Sequence, residues 1–222
     1  MGYQFDFGAA GQYFGLLLKG TAVTLWLTAI ASLFGLTLAV GGAAATRSKA
    51  AWIRGLVATY VELIRNTPFI VQMFFIFFGL PALGLRLAAL PAAALAMTIN
   101  LAAYAIEILR AGLEAVPAGQ SEAGLSLGLR PTLVFALLVL PQAVAVVYPA
   151  LVGQITITML ESAVVSQIAV VDLTHVADFI QSRNFRSFET YLIITLIYLG
   201  LAIVLRRVLA LGGHRLIAGR RR

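Results

Sequence analysis

Apolar residues in this chain neither alternate nor recur along one narrow helical stripe. They form long runs, at 16–45, 60–80, 90–109, 132–160 and 191–211. Crossing the hydrocarbon layer takes roughly 20 apolar residues, and each run supplies about that many or more. Inside lipid a helix satisfies its own backbone hydrogen bonds, so the pattern predicts an all-α polytopic membrane protein with five transmembrane helices. Lys19 lies near the edge of the first run. The second closes on Gly79-Leu80-Pro81, and Pro141 and Pro149 punctuate the fourth. Thr67-Pro68 predicts a break in the first turn of the second span, with Glu62 and Arg65 paired across one turn. The apolar segment 163–171 is too short to cross and predicts a short helix packed at the outer surface.

Five spans place the termini on opposite sides, and the basic residues choose between the two orientations. One set of loops holds Arg47, Lys49, Arg54, Arg65, Arg110, Arg130, Arg206, Arg207, Arg215, Arg220, Arg221 and Arg222; the other holds only Lys19, Arg86, Arg183 and Arg186. Positively charged loops stay in the cytoplasm, so the N-terminus is expected outside and the C-terminus inside. The expected organisation is an outer segment at 1–15, a transmembrane domain at 16–211 and a basic cytoplasmic tail at 212–222. The tail suits anionic headgroups as well as topology. The first fifteen residues carry no Lys or Arg, so no cleavable signal peptide is expected.

Composition changes how the charge is read. Of 222 residues, 61% are hydrophobic and 11% charged, against about 25% charged in an ordinary soluble domain. A net charge of +7 would suggest nucleic acid in a soluble chain. Here it reflects cytoplasmic loops and lipid, and no nucleic-acid partner is expected. Without cysteine there is no disulfide, thiolate metal site or thiol nucleophile. No catalytic residue is expected, because no histidine lies in a span and, of the serines within the bilayer, only Ser162, beside Glu161, has an acid neighbour. His175 stands three residues from both Asp172 and Asp178, but with His214 the only other histidine a solvated outer loop is expected and no metal site. The lysines, Lys19 and Lys49, follow Leu18 and Ser48, so there is no Gly-Lys-Ser/Thr phosphate loop and no cofactor is expected on this chain.

The cytoplasmic loop at about 118–130 interrupts this apolar chain with "GQSEAGLSLGLRP" (119–131). Gln120-Ser121-Glu122 predicts a helix start, with Ser121 as cap and Glu122 at the positive end of the dipole. Gly124 and Gly128, four apart, predict one small face that another body could approach closely. The helix is expected to stop near Gly128, before Arg130-Pro131. The same features also describe a loop helix packed on its own bundle.

Glu122-Ala123-Gly124, Gly128, Leu138 and Leu140-Pro141 together resemble the "EAA" loop of permease subunits of ATP-binding-cassette importers, with Gly for the third Ala and Leu for the usual Ile. "ELIRNTPFIVQMFFIFFGLP" (62–81), "NLAAYAIEILRAGLEAVPAGQSEA" (100–123), "YPALVGQ" (148–154) and "SAVVSQIAVVDL" (162–173) extend the likeness to the polar-amino-acid branch, over roughly residues 16–210. The resemblance implies a coupling helix that docks on an ATPase, involving Gln120, Glu122, Ala123, Gly124, Ser126 and Gly128. It also implies ATP and Mg on partner ATPase subunits, a second permease subunit (same or homologous), an external solute-binding protein and a bacterial inner membrane. A scaffold that recruits a cytoplasmic partner without transport is the alternative.

Ionisable and amide side chains within spans are functional candidates by default. Asn100, Tyr104 and Glu107 share a helical face, which Arg110 and Glu114 continue. They read as a polar wall of the substrate path. The competing reading pairs Glu107 with Arg110 or Arg65 as a helix lock. Gln154, Glu161 and Ser162 are the path candidates of the fourth span, and Glu161 could equally pair with Arg183 or Arg186. Relatives carry a Lys-Asp-Thr-Ser pattern where this chain has Leu160, Glu161, Ser162 and Ala163. Gln72 reads as interhelical glue.

Overall fold

A computed structural model of the chain describes residues 5–6 and 8–218, and among these every regular element is helical. After a turn at Gly8–Gly11 come α1 (Phe14–Ala45), α2 (Ala51–Arg65), α3 (Phe69–Leu83), α4 (Ala89–Glu114), α5 (Ala118–Ser126), α6 (Pro131–Ile168), α7 (Leu173–Asn184) and α8 (Ser187–Ala218). α1, α4, α6 and α8 are long and apolar enough to cross a membrane, and the bent pair α2–α3 is the fifth candidate. The final residues 219–222 of the expected basic tail, and 1–4 of the expected outer segment, lie outside the described residues.

α1 meets α4 along a small-residue seam. Ala31, Gly35, Ala39 and Ala43 of α1 are buried at spacings of four. A Cβ on Gly35 would come within 3.2 Å of Leu101. Apolar side chains gain nothing by leaving lipid for one another, so close backbone approach and dispersion hold such a seam. One core joins Leu27, Met73, Met97, Ala92, Val165 and Ile168, drawn from α1, α3, α4 and the end of α6. A second joins Leu17, Val176, Ile180 and Ile194 and fastens α7 to α1 and α8.

The second span is not one helix over 60–80. α2 and α3 are bent by 109° at a break of three residues. Pro68 lacks an N–H and biases Thr67 away from helical angles. The carbonyls freed at the end of α2 find side-chain donors: Asn66 Nδ2 donates to Glu62 O, Thr67 Oγ1 to Leu63 O, and Gln72 Nε2 to Ile64 O. Three of the last four carbonyls of α2 are thus satisfied by side chains without water, which is what tolerates a break in an apolar setting. Glu62 and Arg65 do not pair; Arg65 turns to α4 instead.

Two of the three Leu-Pro pairs follow a widened turn, the third, Leu90-Pro91, lying in the first turn of α4. Phe75–Gly79 precedes Leu80-Pro81 and Phe135–Val139 precedes Leu140-Pro141, each as five residues of π-helix. A proline ring collides with the carbonyl four residues earlier, which here is Phe77 or Leu137, and the wide turn moves that carbonyl aside. Pro149 is carried inside the continuous helix Leu140–Glu161.

Segment 163–171 is not a helix on the outer surface. Ser162–Ile168 continues α6 as a 3₁₀-helix, and Ser162, Val165 and Ile168 are all buried. With three residues per turn, those positions eclipse one another and face the core together. The region around His175 is not a solvated loop either. It is α7, whose N-cap Asp172 is completely buried and accepts from the His175 backbone N–H at 2.9 Å.

Candidate functional site: a polar cleft and an exposed loop helix

The polar candidates on α4 divide over two levels. Asn100 is buried and its Nδ2 donates to Gln72 Oε1 at 3.0 Å. Gln72 is therefore a two-sided clamp: its amide nitrogen holds the α2–α3 break while its oxygen holds α4. Asn100 Oδ1 is buried with no hydrogen-bond partner among the described residues. One residue before Asn100, the Tyr60 hydroxyl donates to Ile99 O at 2.6 Å.

One and two turns further along α4, Tyr104 and Glu107 line an open cleft of about 680 Å³ between α2 and α4. Arg54, Glu62, Arg65 and Asn66 supply its opposite wall. Arg110 grips Glu107 through two nitrogens, at 3.0 and 2.5 Å, and reaches Glu114 at 2.6 Å. Arg65 lies 4.0 Å from Glu107 and over the Tyr104 ring, 5.5 Å from its centroid. Glu107 thus serves as the lock between α2 and α4, as one of the two sequence readings had it, and that lock forms a wall of the cleft. The pairs are part-exposed, and the fork of Arg110 lies within α4, so it orients the Glu107 carboxylate toward Arg65 of α2 more than it stabilises the fold.

The path candidates of α6 do not join that cleft. Gln154 and Ser162 are buried, and Ser162 Oγ donates to Met159 O at 2.6 Å. Glu161 is half-buried and lies seven residues, or about 10 Å of rise, from Gln154 on the same face. It does not pair with Arg183 or Arg186. Arg183 stacks on Phe179, and Arg186 bonds Glu189 and Asp6. Among the described residues the Glu161 carboxylate forms no ion pair and no hydrogen bond.

The loop helix α5 starts earlier than its sequence signals indicated. Pro117 is its N-cap residue, Ser121 lies inside, and no side chain caps it. Proline already fixes φ at the entry, so a hydroxyl cap is not required. Gly124 and Gly128 do not form one face. Gly128 lies beyond the helix at φ 78°, where Leu129 N–H reaches Gly124 O and Gly128 N–H reaches Leu125 O, a Schellman stop. Gly124 is buried against the chain's own α6, where a Cβ would meet Leu138 Cδ1 at 2.7 Å and Val134 Cγ2 at 2.9 Å. The small face therefore seats α5 on its own bundle. Gln120, Glu122, Ala123 and Ser126 stay exposed, with Leu125 and, most of all, Leu127 beside them.

Sequence reasoning passed over Arg54, Asn66 and the buried role of Asp172. The first lies on α2 and the second at its C-cap, and both are placed by the 109° bend, which composition does not encode. Asp172 followed by Leu173-Thr174-His175 was readable as an N-cap.

The comparisons agree with this architecture. The family model described as "Binding-protein-dependent transport system inner membrane component" matches residues 35–217. The L-cystine transport system permease protein TcyB of Bacillus subtilis (strain 168) is 36% identical over 173 residues, 78% of this chain and 74% of that protein. The glutamine transport system permease protein GlnP of Escherichia coli (strain K12) is 34% identical over 209 residues, 93% of this chain and 95% of that protein. A crystal structure of an amino acid ABC transporter with histidines contains a chain of 37% identity that superposes with a TM-score of 0.89, covering 96% of this chain and 100% of that one. The MetNI methionine ABC transporter in an inward-facing conformation shares the fold at 19% identity and a TM-score of 0.70, over 94% and 97% of the two chains. With its bent second span, its α4–α6 core and its exposed loop helix, this chain belongs to the family of binding-protein-dependent transport system inner membrane components.

Proposed function

We propose that this chain forms the translocation path of an ATP-driven importer for polar amino acids and couples to a separate ATPase through residues 118–130. The observation that carries the coupling reading is the two-sidedness of α5. Gly124 is wedged on Val134 and Leu138 while Ala123, Ser126 and Leu127 are exposed beyond it, with Gln120 and Glu122 exposed at the edges of the helix, Gln120 beside Gln142 of α6 and Glu122 at the mouth of the cavity beneath. Force applied to that outer side reaches α6 through the Gly124 seat, at the start of the span that carries Gln154, Glu161 and Ser162. Relatives named for glutamine and L-cystine transport support an amino-acid substrate.

The partners are two ATPase subunits holding ATP and Mg, a second permease subunit and an external binding protein that delivers the substrate. The chain sits in a bacterial inner membrane with its N-terminus outside and its C-terminus in the cytoplasm, a reading that the distribution of basic loops supports. Closure of the ATPases pushes on α5 and opens the path outward, and hydrolysis resets it. When the path opens, the Asn100 Oδ1, buried here without a partner among the described residues, accepts from an ammonium, and the unpaired Glu161 carboxylate attracts the same group or a cationic side chain. Tyr104 and Glu107, held by Arg65 and Arg110, form the wall of the cleft beyond. A cysteine placed at Leu127 and one in the ATPase surface groove test the coupling arm by cross-linking in the assembled complex. A cross-link that changes yield with ATP is expected. Its absence at Leu127, with efficient cross-linking elsewhere on this chain, contradicts it.

A further inference from the structure

We infer that the groove between α1, α4 and α6 beside the loop helix binds one phospholipid molecule with a primary-amine headgroup, such as phosphatidylethanolamine. Two adjoining cavities carry the inference, each of about 460 Å³. The more apolar one is walled by Val40, Ala43, Ala44, Leu140, Ala143 and Val144 and contains one charged residue, Arg47. The other lies under α5 and is lined by Ser121, Glu122, Leu125 and Pro131, again with Arg47. Arg47, Leu113 and Phe135 line both, so the two form one channel with an apolar floor and a charged mouth.

That profile is the profile of a lipid. The alanines at 43, 44 and 143 leave a furrow, and Val40 and Val144 at its lip are exposed. The furrow is continuous with the outward face of α1, where Leu33, Phe34 and Leu38 are exposed as well. An acyl chain lies there among groups as apolar as itself. At the mouth neither Arg47 nor Glu122 forms an ion pair or side-chain hydrogen bond among the described residues. A guanidinium recognises a phosphate, and basic pockets between transmembrane helices on the cytoplasmic side suit lipid headgroups. The carboxylate of Glu122 beside it disfavours a purely anionic head. It favours one that presents an ammonium a few atoms from the phosphate. The bound lipid then touches both α1 and the loop helix, so it stiffens the seat on which α5 moves.

Native mass spectrometry of the assembled transporter, released from detergent with equimolar phosphatidylethanolamine, phosphatidylcholine and phosphatidylglycerol of matched chains, tests this directly. Preferential retention of phosphatidylethanolamine, lost about tenfold in Arg47→Gln and in the groove-filling Ala44→Phe, is expected. The tenfold change corresponds to about 1.4 kcal/mol. Retention of phosphatidylglycerol over phosphatidylethanolamine, equal retention of all three lipids, or indifference to both substitutions overturns the proposal. So does a cross-link between Ala44→Cys of one copy and Val144→Cys of another, which places a second copy in the groove. The readout needs no transport, so it stands or falls separately from the importer reading.

Discussion

Asn100 and Gln72 share a hydrogen bond of 3.0 Å that ties the middle of α4 to the break between α2 and α3. Gln72 gives its other polar atom to carbonyls at the end of α2, so one amide pair fixes the angle of the bent span. Replacing either residue with Ala leaves a buried polar partner behind, at a cost of about 1–3 kcal/mol. Gln72→Ala is the more damaging of the two, because it also strips Ile64 O and Thr67 O. Thermal unfolding of the purified chain in detergent checks the order, and a double mutant less destabilised than the sum of the singles confirms the pair.

Gly124 makes a prediction that separates its seat on α6 from its access to a partner. Gly124→Ala overpacks both neighbours; the Leu138 tip at 2.7 Å can swing aside, whereas the branched Val134, with Cγ atoms at 2.9 and 3.3 Å, cannot, so the loop helix is pried up at about 1–3 kcal/mol. Val134→Ala in the same chain relieves it. Gly124→Asp buries a carboxylate there and is not relieved. The ratio of substrate imported to ATP hydrolysed is expected to fall in Gly124→Ala, recover in the double mutant, and collapse in Gly124→Asp without loss of membrane insertion. If Val134→Ala fails to rescue Gly124→Ala, the seat is not where coupling is lost.

Asp172 sets a pH dependence of stability. Burial pushes its carboxyl up to about 6, against the opposing pull of the His175 and Thr174 backbone N–H groups and the Tyr198 hydroxyl. The native state therefore holds its proton over a range in which the unfolded chain, at about 3.9, has released it. The stabilisation is complete below pH 4 and is lost as pH rises through 6, on the order of 2–3 kcal/mol in all. Melting temperatures between pH 4 and 7 are expected to show this slope in the parent and to lose it in Asp172→Asn, which keeps the helix cap. A parallel slope in both proteins contradicts the assignment.

Much of this architecture was legible from the runs alone. The runs at 90–109 and 132–160 lie inside α4 and α6, because length and apolarity suffice to specify a spanning helix. What escaped the pattern depends on helix pitch or on distant partners. Residues 163–171 look like a separate surface helix until the turn tightens to three residues and buries Val165. Glu62 looks paired with Arg65 until the bend carries Arg65 across to Tyr104 and Glu107. Gly124 and Gly128 look alike, yet one answers to close packing and the other to a left-handed backbone.

Orientation rests on the basic loops, and single cysteines test it. A membrane-impermeant thiol reagent applied to cells with a permeabilised outer membrane is expected to label Ser182→Cys on α7 and to spare Ser126→Cys on α5. The opposite pattern reverses the topology.

The most direct measurement of the central claim is uptake. The complex of this chain with its ATPase and second permease subunit is reconstituted into vesicles loaded with ATP and Mg, and the binding protein and labelled amino acids are supplied outside. ATP-dependent accumulation of a polar amino acid is expected, with Glu161→Gln weakening import of cationic substrates more than neutral ones. Intact ATPase activity in the complex with no accumulation of any amino acid in the panel contradicts the account.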